Sequence, residues 1–302
     1  MDLIAAEGIE KRFGQLTALR DISLRVRRGE LYGLIGPDGA GKTTFFRILT
    51  TLMLPDGGRA TVDGLDIATD YRRIRAAVGY MPGRFSLYPD LTVKENLEFF
   101  ATLFGTRLED NYDLIRDIYV QIEPFRSRRA GRLSGGMKQK LALCCALIHR
   151  PRVLFLDEPT TGVDVVSRHE FWDMLSSLKR QGITMLVSTP YMDEAVRCDR
   201  IALIQSGRLL SIDTPGGIIE NYPDALFEVR AENMRQLTDE IRKRCSPQSC
   251  FAFGRSLHVS FSRDDVEAPQ RMRAALTAAG CTNLEIAPIT PSIEDCFIQQ
   301  MR

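Results

Sequence analysis

The sequence of 302 residues has no long apolar stretch, no cysteine-pair pattern and no surplus of either charge. Its longest uninterrupted apolar run is LALCCALI, residues 141–148, far short of the ~20 residues that a membrane-crossing helix needs. The opening MDLIAAEGIE carries an acid at position 2 and no basic stretch followed by an apolar one. A secretory leader is therefore not expected, and any membrane role would have to come through a partner. Seven cysteines stand at positions 144, 145, 198, 245, 250, 281 and 296, none in a CxxC pair or grouped with the three histidines. That spacing offers no zinc site; cysteines flanked by apolar residues fit small core residues in a reducing cytosol. Forty basic against 39 acidic side chains leave a net charge of +1, which gives no reason to expect nucleic-acid binding.

What is present is the composition of an ordinary globular protein, 44% hydrophobic and 26% charged. The length suits a large domain with a smaller one. The first ~30 residues alternate apolar and polar, as half-buried antiparallel strands do. LYGLIG is a short apolar run ending in a glycine-rich turn, followed at once by the helix-period stretch KTTFFRILTTLM. Residues 92–149 read as mostly helical. VLFLD and ITMLVS are apolar runs of the buried parallel-strand type, separated by a helical pattern. RIALIQSGRLLSID reads as a hairpin turning at Ser206-Gly207. After about Pro223 the order becomes strand, helix, strand, strand, helix, strand and a final helix, which fits a small ferredoxin-like appendage.

Three motifs carry chemistry. Gly36-Pro37-Asp38-Gly39-Ala40-Gly41-Lys42-Thr43, followed by Thr44, matches GxxxxGK[ST]. Its glycines let backbone N–H groups face phosphate oxygens, and the following helix N-terminus adds partial positive charge. Lys42 is placed for the β- and γ-phosphates and Thr43 for a Mg²⁺ shell. Next, Ser134-Gly135-Gly136-Met137 opens a helix, with Ser134 at the N-cap and the two glycines leaving N–H groups open to an anion. About 20 residues on, VLFLD ends in Asp157 and Glu158 at the C-terminal end of a buried strand, where ligand sites of α/β folds lie. Asp157 suits the metal shell and Glu158 the polarisation of an attacking water.

With these motifs in this order, residues 1–215 resemble the ABC ATPase family: GPDGAGKTT its Walker A loop, LSGGMKQK its signature, VLFLDEP its Walker B strand and TTGVD its D-loop, with Asp164 in the matching place. Phe13 matches the aromatic that stacks on adenine in that family. The resemblance implies an α/β P-loop (RecA-like) core with an N-terminal antiparallel β subdomain and a helical subdomain at about residues 88–148. The nucleotide-binding domain would span 1–222 and a small α+β appendage 223–302. GYMPGRFSLYPDLTVKENL, STPYMDEAVRCDRIALIQSGRL and PSIEDCFI are similar to segments of drug-efflux-type exporter ATPases. That likeness implies ATP and Mg²⁺ as ligands and ABC-2-like permease subunits as partners. It also implies a second ATPase subunit, whose site the Ser134–Met137 signature completes in trans, and a position on the cytoplasmic face of the membrane. The aromatic and aliphatic stretch Phe85, Leu87 and Tyr88 is expected beside the groove that receives the permease.

Two positions depart from the family pattern. Gly83 stands where a glutamine usually follows GYMP, and Pro190 where a histidine usually follows the ST of ITMLVST. Neither has a side-chain hydrogen-bonding group, so weak intrinsic hydrolysis is expected. Pro190 suits the first turn of a helix over YMDEAV, with Thr189 as its cap. A soluble ABC protein acting on ribosomes or DNA, or a non-hydrolysing ATP sensor, remains the alternative; no NKxD occurs to support a GTPase.

Overall fold

The computed structural model describes residues 1–84 and 86–301, so Phe85 lies outside the described residues. The chain divides into two compact units, Met1–Pro215 and Gly216–Arg302. In the first, β1 (Asp2–Phe13) and β2 (Leu16–Arg27) pair antiparallel, with Phe13 opposite Leu16 at the turn. β3 (Leu31–Ile35) is buried along its length and leads through the glycine-rich loop into α1 (Lys42–Leu49). The helical period continues past Leu49 in sequence, yet the helix stops there. Thr51 takes a left-handed φ of 62°, and Arg75 bonds the Thr51 carbonyl at 2.6 Å and its hydroxyl at 2.8 Å. β4 (Gly57–Val62) and β5 (Leu65–Asp66) complete an antiparallel sheet of order β2-β1-β4-β5.

Beyond α2 (Tyr71–Ala77) and β6 (Val78–Met81) comes the helical segment, α3 (Val93–Leu103), α4 (Tyr112–Tyr119) and α5 (Gly135–Leu147). Thr92 and Glu95 form a capping box on α3. The buried Asn96 side chain bonds both the N–H and the carbonyl of Tyr88, each at 3.1 Å, and pins the preceding loop to α3.

β7 (Val153–Asp157), α6 (Val165–Arg180), β8 (Thr184–Thr189), β9 (Arg200–Gln205) and β10 (Arg208–Asp213) then return to the core. The central sheet has the order β10-β9-β3-β8-β7-β6. Five strands run parallel, and β10 joins β9 as an antiparallel hairpin. Its turn residues Ser206 and Gly207 have φ of 49° and 74°, the positive pair that suits a tight hairpin between right-twisted strands. β7 and β8 are buried at every position, which explains their unbroken apolar sequences.

The expected helical turn at Pro190 starts later, as a 3₁₀ segment Met192–Arg197. The Thr189 hydroxyl accepts the Tyr191 N–H at 3.1 Å and donates to Glu194. Tyr191 stays extended, and the turn can begin only beyond it.

In the second unit, α7 (Pro215–Glu220) precedes β11 (Asp224–Arg230), α8 (Met234–Arg244), β12 (Ser249–Phe253), β13 (Ser256–Ser262), α9 (Ala268–Ala278), β14 (Glu285–Pro288) and α10 (Ile293–Gln300). The antiparallel order β12-β13-β11-β14 inserts β13 between β11 and β12, the split βαβ arrangement. Leu237 and Ile241 of α8 and Met272 and Leu276 of α9 pack with Val229, Val259 and Phe261 of the sheet. Asp295 of α10 bonds His258 Nδ1 of β13 at 2.7 Å, tying the last helix to the sheet. All seven cysteines are unpaired; 144, 145, 198, 250 and 296 are buried, whereas Cys245 and Cys281 are partly exposed.

Candidate functional site

The C-terminal end of β3 is where the site begins. Gly36 has no room for a side chain, since a Cβ there would lie 2.1 Å from the Ile204 carbonyl oxygen. Gly41 caps α1 with a φ of 107°, a conformation that L side chains rarely adopt. Between them the loop Pro37, Asp38, Gly39 and Ala40 leads to the helix N-terminus, with Asp38 exposed and Ala40 buried. A cleft of about 390 Å³ opens over this loop, lined by Phe13, Thr17, Ala18, Gly39, Gly41, Lys42, Thr43, Thr44 and Glu158 among others. Phe13 is 46% exposed at the cleft wall, with the Lys11 ammonium 5.8 Å from its ring centroid.

Lys42 is 2% exposed. Its ammonium donates to the carbonyls of Gly36 at 2.7 Å and Pro37 at 2.9 Å, and pairs with Glu158 at 3.0 Å. Asp38 is 4.0 Å away. Thr43 Oγ1 donates to Asp157 Oδ1 at 3.2 Å, and Ser188 Oγ donates to the same oxygen at 2.7 Å. Asp157 is buried, and this burial pushes its carboxyl pKa above the usual range while the two hydroxyls oppose the shift. Glu158 takes a left-handed φ of 51°, with its N–H held by the Ser188 carbonyl and hydroxyl at 3.1 and 3.0 Å. Strained backbone of this kind concentrates at functional sites.

The two departures flank this acidic pair. Gly83 lies against the backbone of Asp157. Pro190 follows Thr189 at the end of β8, beside Ser188. The signature residues are elsewhere: Ser134 caps α5 by accepting the Met137 N–H at 3.3 Å, and Ser134 and Gly135 are exposed outside the cleft lining. Gly136 packs on Ser167, where a Cβ would come within 2.7 Å of its hydroxyl. Asp164 caps α6 by accepting the Ser167 N–H at 3.0 Å, a bond that holds its carboxyl pKa below the usual range. The sequence-read residues thus form two groups, cleft and signature, on one unit.

Two participants escaped the sequence reading. Ser188 ties Asp157 to Glu158, as described above. Glu194, 3% exposed, accepts from Thr160 Oγ1 at 2.8 Å, from Arg168 Nε at 3.2 Å and from Thr189. It joins the turn after β7, the helix after Asp164 and the end of β8.

Residues 19–161 match the family described as ABC transporter. The chain is 37% identical over 302 residues to the probable multidrug ABC transporter ATP-binding protein YbhF of Escherichia coli, covering 98% of this chain but 51% of that protein. It therefore spans about half the length of that relative. It is 36% identical over 299 residues to the Nod factor export ATP-binding protein I of Burkholderia lata, covering 96% of this chain and 94% of that protein. A solved ATP-binding subunit of an ABC transporter, 27% identical, superposes with a TM-score of 0.66 over 73% of this chain and 93% of its own. Taken with the phosphate loop, the buried aspartate and the adjoining glutamate, these matches place the chain in the family of ABC transporter ATP-binding proteins.

Proposed function

We propose that this chain is the ATP-binding and ATP-hydrolysing subunit of an exporter, and that its own site hydrolyses slowly. The observation that carries the reading is the meeting of Lys42, Thr43 and Glu158 in one cleft, with the buried Asp157 hydrogen-bonded to Thr43 behind it, while Gly83 and Pro190 offer no polar side chain. Phe13 stacks the adenine ring. The loop N–H groups and the α1 N-terminus bind the phosphates, and Lys42 turns from Glu158 to the β- and γ-phosphate oxygens. Two hydroxyls and a carboxylate meet at Asp157, hard oxygen donors that suit Mg²⁺, which takes few protein groups alongside phosphate oxygens and water. Thr43 and Asp157 would hold the ion, whose chemistry is to neutralise charge on the phosphates. Glu158 orients and deprotonates the attacking water.

No helix among the described residues is long and apolar enough to cross a membrane. Membrane engagement then belongs to ABC-2-like permease subunits, which would hold this chain on the cytoplasmic face. An apolar cleft of about 170 Å³ supports that assignment; Met81, Pro82, Leu87, Phe100, Phe104 and His149 line it. Next in sequence to Leu87 of that lining, Tyr88, 47% exposed, packs edge-to-face on Phe99, the neighbour of Phe100, with ring centroids 4.8 Å apart. The chain would pair with a second, more complete ATPase subunit. Ser134, Gly135, Gly136 and Met137 complete that partner's catalytic site, while this chain's site holds ATP and stabilises the closed dimer.

The test uses the reconstituted heterodimer, or the homodimer if no partner co-purifies from membranes. Gly135→Glu puts a bulky anion at the partner's γ-phosphate and is expected to abolish ATPase activity, whereas Glu158→Gln reduces it far less. Equal damage from both would show that this site is itself a main hydrolytic one.

A further inference from the structure

We infer that Gly83 is a positioning residue for the acidic pair. Its lack of a side chain lets the segment after β6 close directly onto the backbone that carries Asp157 and Glu158, and that contact holds the pair in place. The inference rests on the cleft being the ATPase site proposed above, but it assigns Gly83 a role opposite in sign to a simple loss of glutamine.

Geometry makes the case. β6 runs parallel to β7 in the register Val78↔Val153 through Met81↔Leu156, so both strands end side by side. Two residues past Met81, a Cβ on Gly83 would lie 2.9 Å from the Asp157 carbonyl oxygen and 3.7 Å from both the Asp157 carbonyl carbon and Glu158 Cβ. Carbon–oxygen contacts in proteins settle at ~3.3–3.6 Å even when mildly attractive. The constraint is one of space and not of torsion, because Gly83 is absent from the positive-φ glycines and any L residue could adopt its backbone.

The neighbour is not free to yield. It is backbone at the end of a fully buried strand. Its side chain is bonded by Ser188 and Thr43, and the next N–H is bonded twice by Ser188. A side chain at 83 would therefore displace either its own segment or the acidic pair. The same segment supplies Met81 and Pro82 to the wall of the apolar cleft. The wall and the acidic pair thus share a backbone route, through the pairing of Met81 with Leu156 and the approach of Gly83 to Asp157.

The experiment compares the 302-residue wild-type chain with Gly83→Ala and Gly83→Gln. It measures single-turnover hydrolysis of Mg-ATP, titration with a fluorescent ATP analogue, and thermal unfolding. The expected order of hydrolysis is wild type, then Ala, then Gln. Alanine should cost about tenfold, as small misplacements of reacting groups do, with affinity changed by less than about twofold, the split that marks loss at the chemical step. A glutamine variant faster than wild type, or three equal rates, overturns the positioning role. If the glutamine variant does not fold, alanine alone decides: an unchanged rate overturns the inference and a lowered rate with unchanged affinity and melting temperature supports it. A wild-type rate already as high as that of an intact family ATPase would instead sink the slow-site reading, and the Gly, Ala, Gln order would still report on the contact.

Discussion

Truncating Glu194 tests whether the buried carboxylate holds the back of the site together. Glu194→Ala removes the acceptor of the Thr160 and Thr189 hydroxyls, which are 1% and 0% exposed. A buried polar group left without its partner costs ~1–3 kcal/mol, and Thr189 still accepts the Tyr191 N–H, so the two hydroxyls together lose about 2 kcal/mol. Arg168 also loses a partner at 3.2 Å but keeps Asp193 at 2.9 Å and an 18% exposed side chain. Its share thus falls well below the ~3–5 kcal/mol of a fully buried broken pair and adds about 1 kcal/mol. The sum, about 3 kcal/mol, lowers the melting temperature of a unit this size by ~6–12 °C. Glu194→Gln keeps the volume and one acceptor oxygen and is expected to cost about 1 kcal/mol, or ~2–4 °C. Scanning calorimetry of the full chain resolves this, with the nucleotide-binding unit's transition identified as the one that Mg-ATP raises. A shift under ~3 °C for alanine, or equal shifts for alanine and glutamine, would refute the proposed hub.

Three further outcomes are expected. Lys42→Ala removes the main phosphate cation and should weaken a fluorescent ATP analogue by at least about 100-fold; unchanged affinity would mean that the phosphates are held another way. Burial beside the apolar cleft holds His149 below its ordinary value of 6.5. Its folded form therefore binds a proton less readily than the unfolded chain, and the stability it contributes is full above pH 6.5 and lost as pH falls below it. Melting temperature should drop as pH falls from about 6.5 to 5.5, less steeply in His149→Gln, and parallel profiles would exclude this source. Tyr88→Asp should leave folding and ATP binding intact yet prevent recovery of the chain with membranes, and normal recovery would count against permease docking there.

Local pattern made much of the architecture legible. The strand, glycine loop and helix around Lys42 follow one another in sequence, and so do the buried strand and its terminal carboxylates at Asp157 and Glu158. The hairpin at Ser206-Gly207 was readable because a small polar residue and a glycine, which takes positive φ at no steric cost, separate two apolar runs. What escaped depends on partners far along the chain. The pattern KTTFFRILTTLM continues helically, but Arg75, 24 residues beyond Thr51, takes the Thr51 carbonyl and ends the helix. Glu194 looks like any acid on a polar turn, and its partners Thr160 and Arg168 lie 34 and 26 residues away. Gly83 was visible as a missing glutamine. Its contact with Asp157 was not, since it arises from strand pairing.

The two partly exposed thiols both lie in the second unit, which also holds the buried Cys250 and Cys296. Cys144, Cys145 and Cys198, all in the first unit, are buried, and desolvation holds each of them protonated. Cys245 and Cys281, both in the second, are partly open to solvent. A maleimide dye or nitroxide applied near neutral pH should therefore react first with the C-terminal unit and spare the nucleotide-binding unit, since reaction needs an accessible thiolate. The unaltered chain thus carries its own spectroscopic handle on that unit, with no residue to engineer.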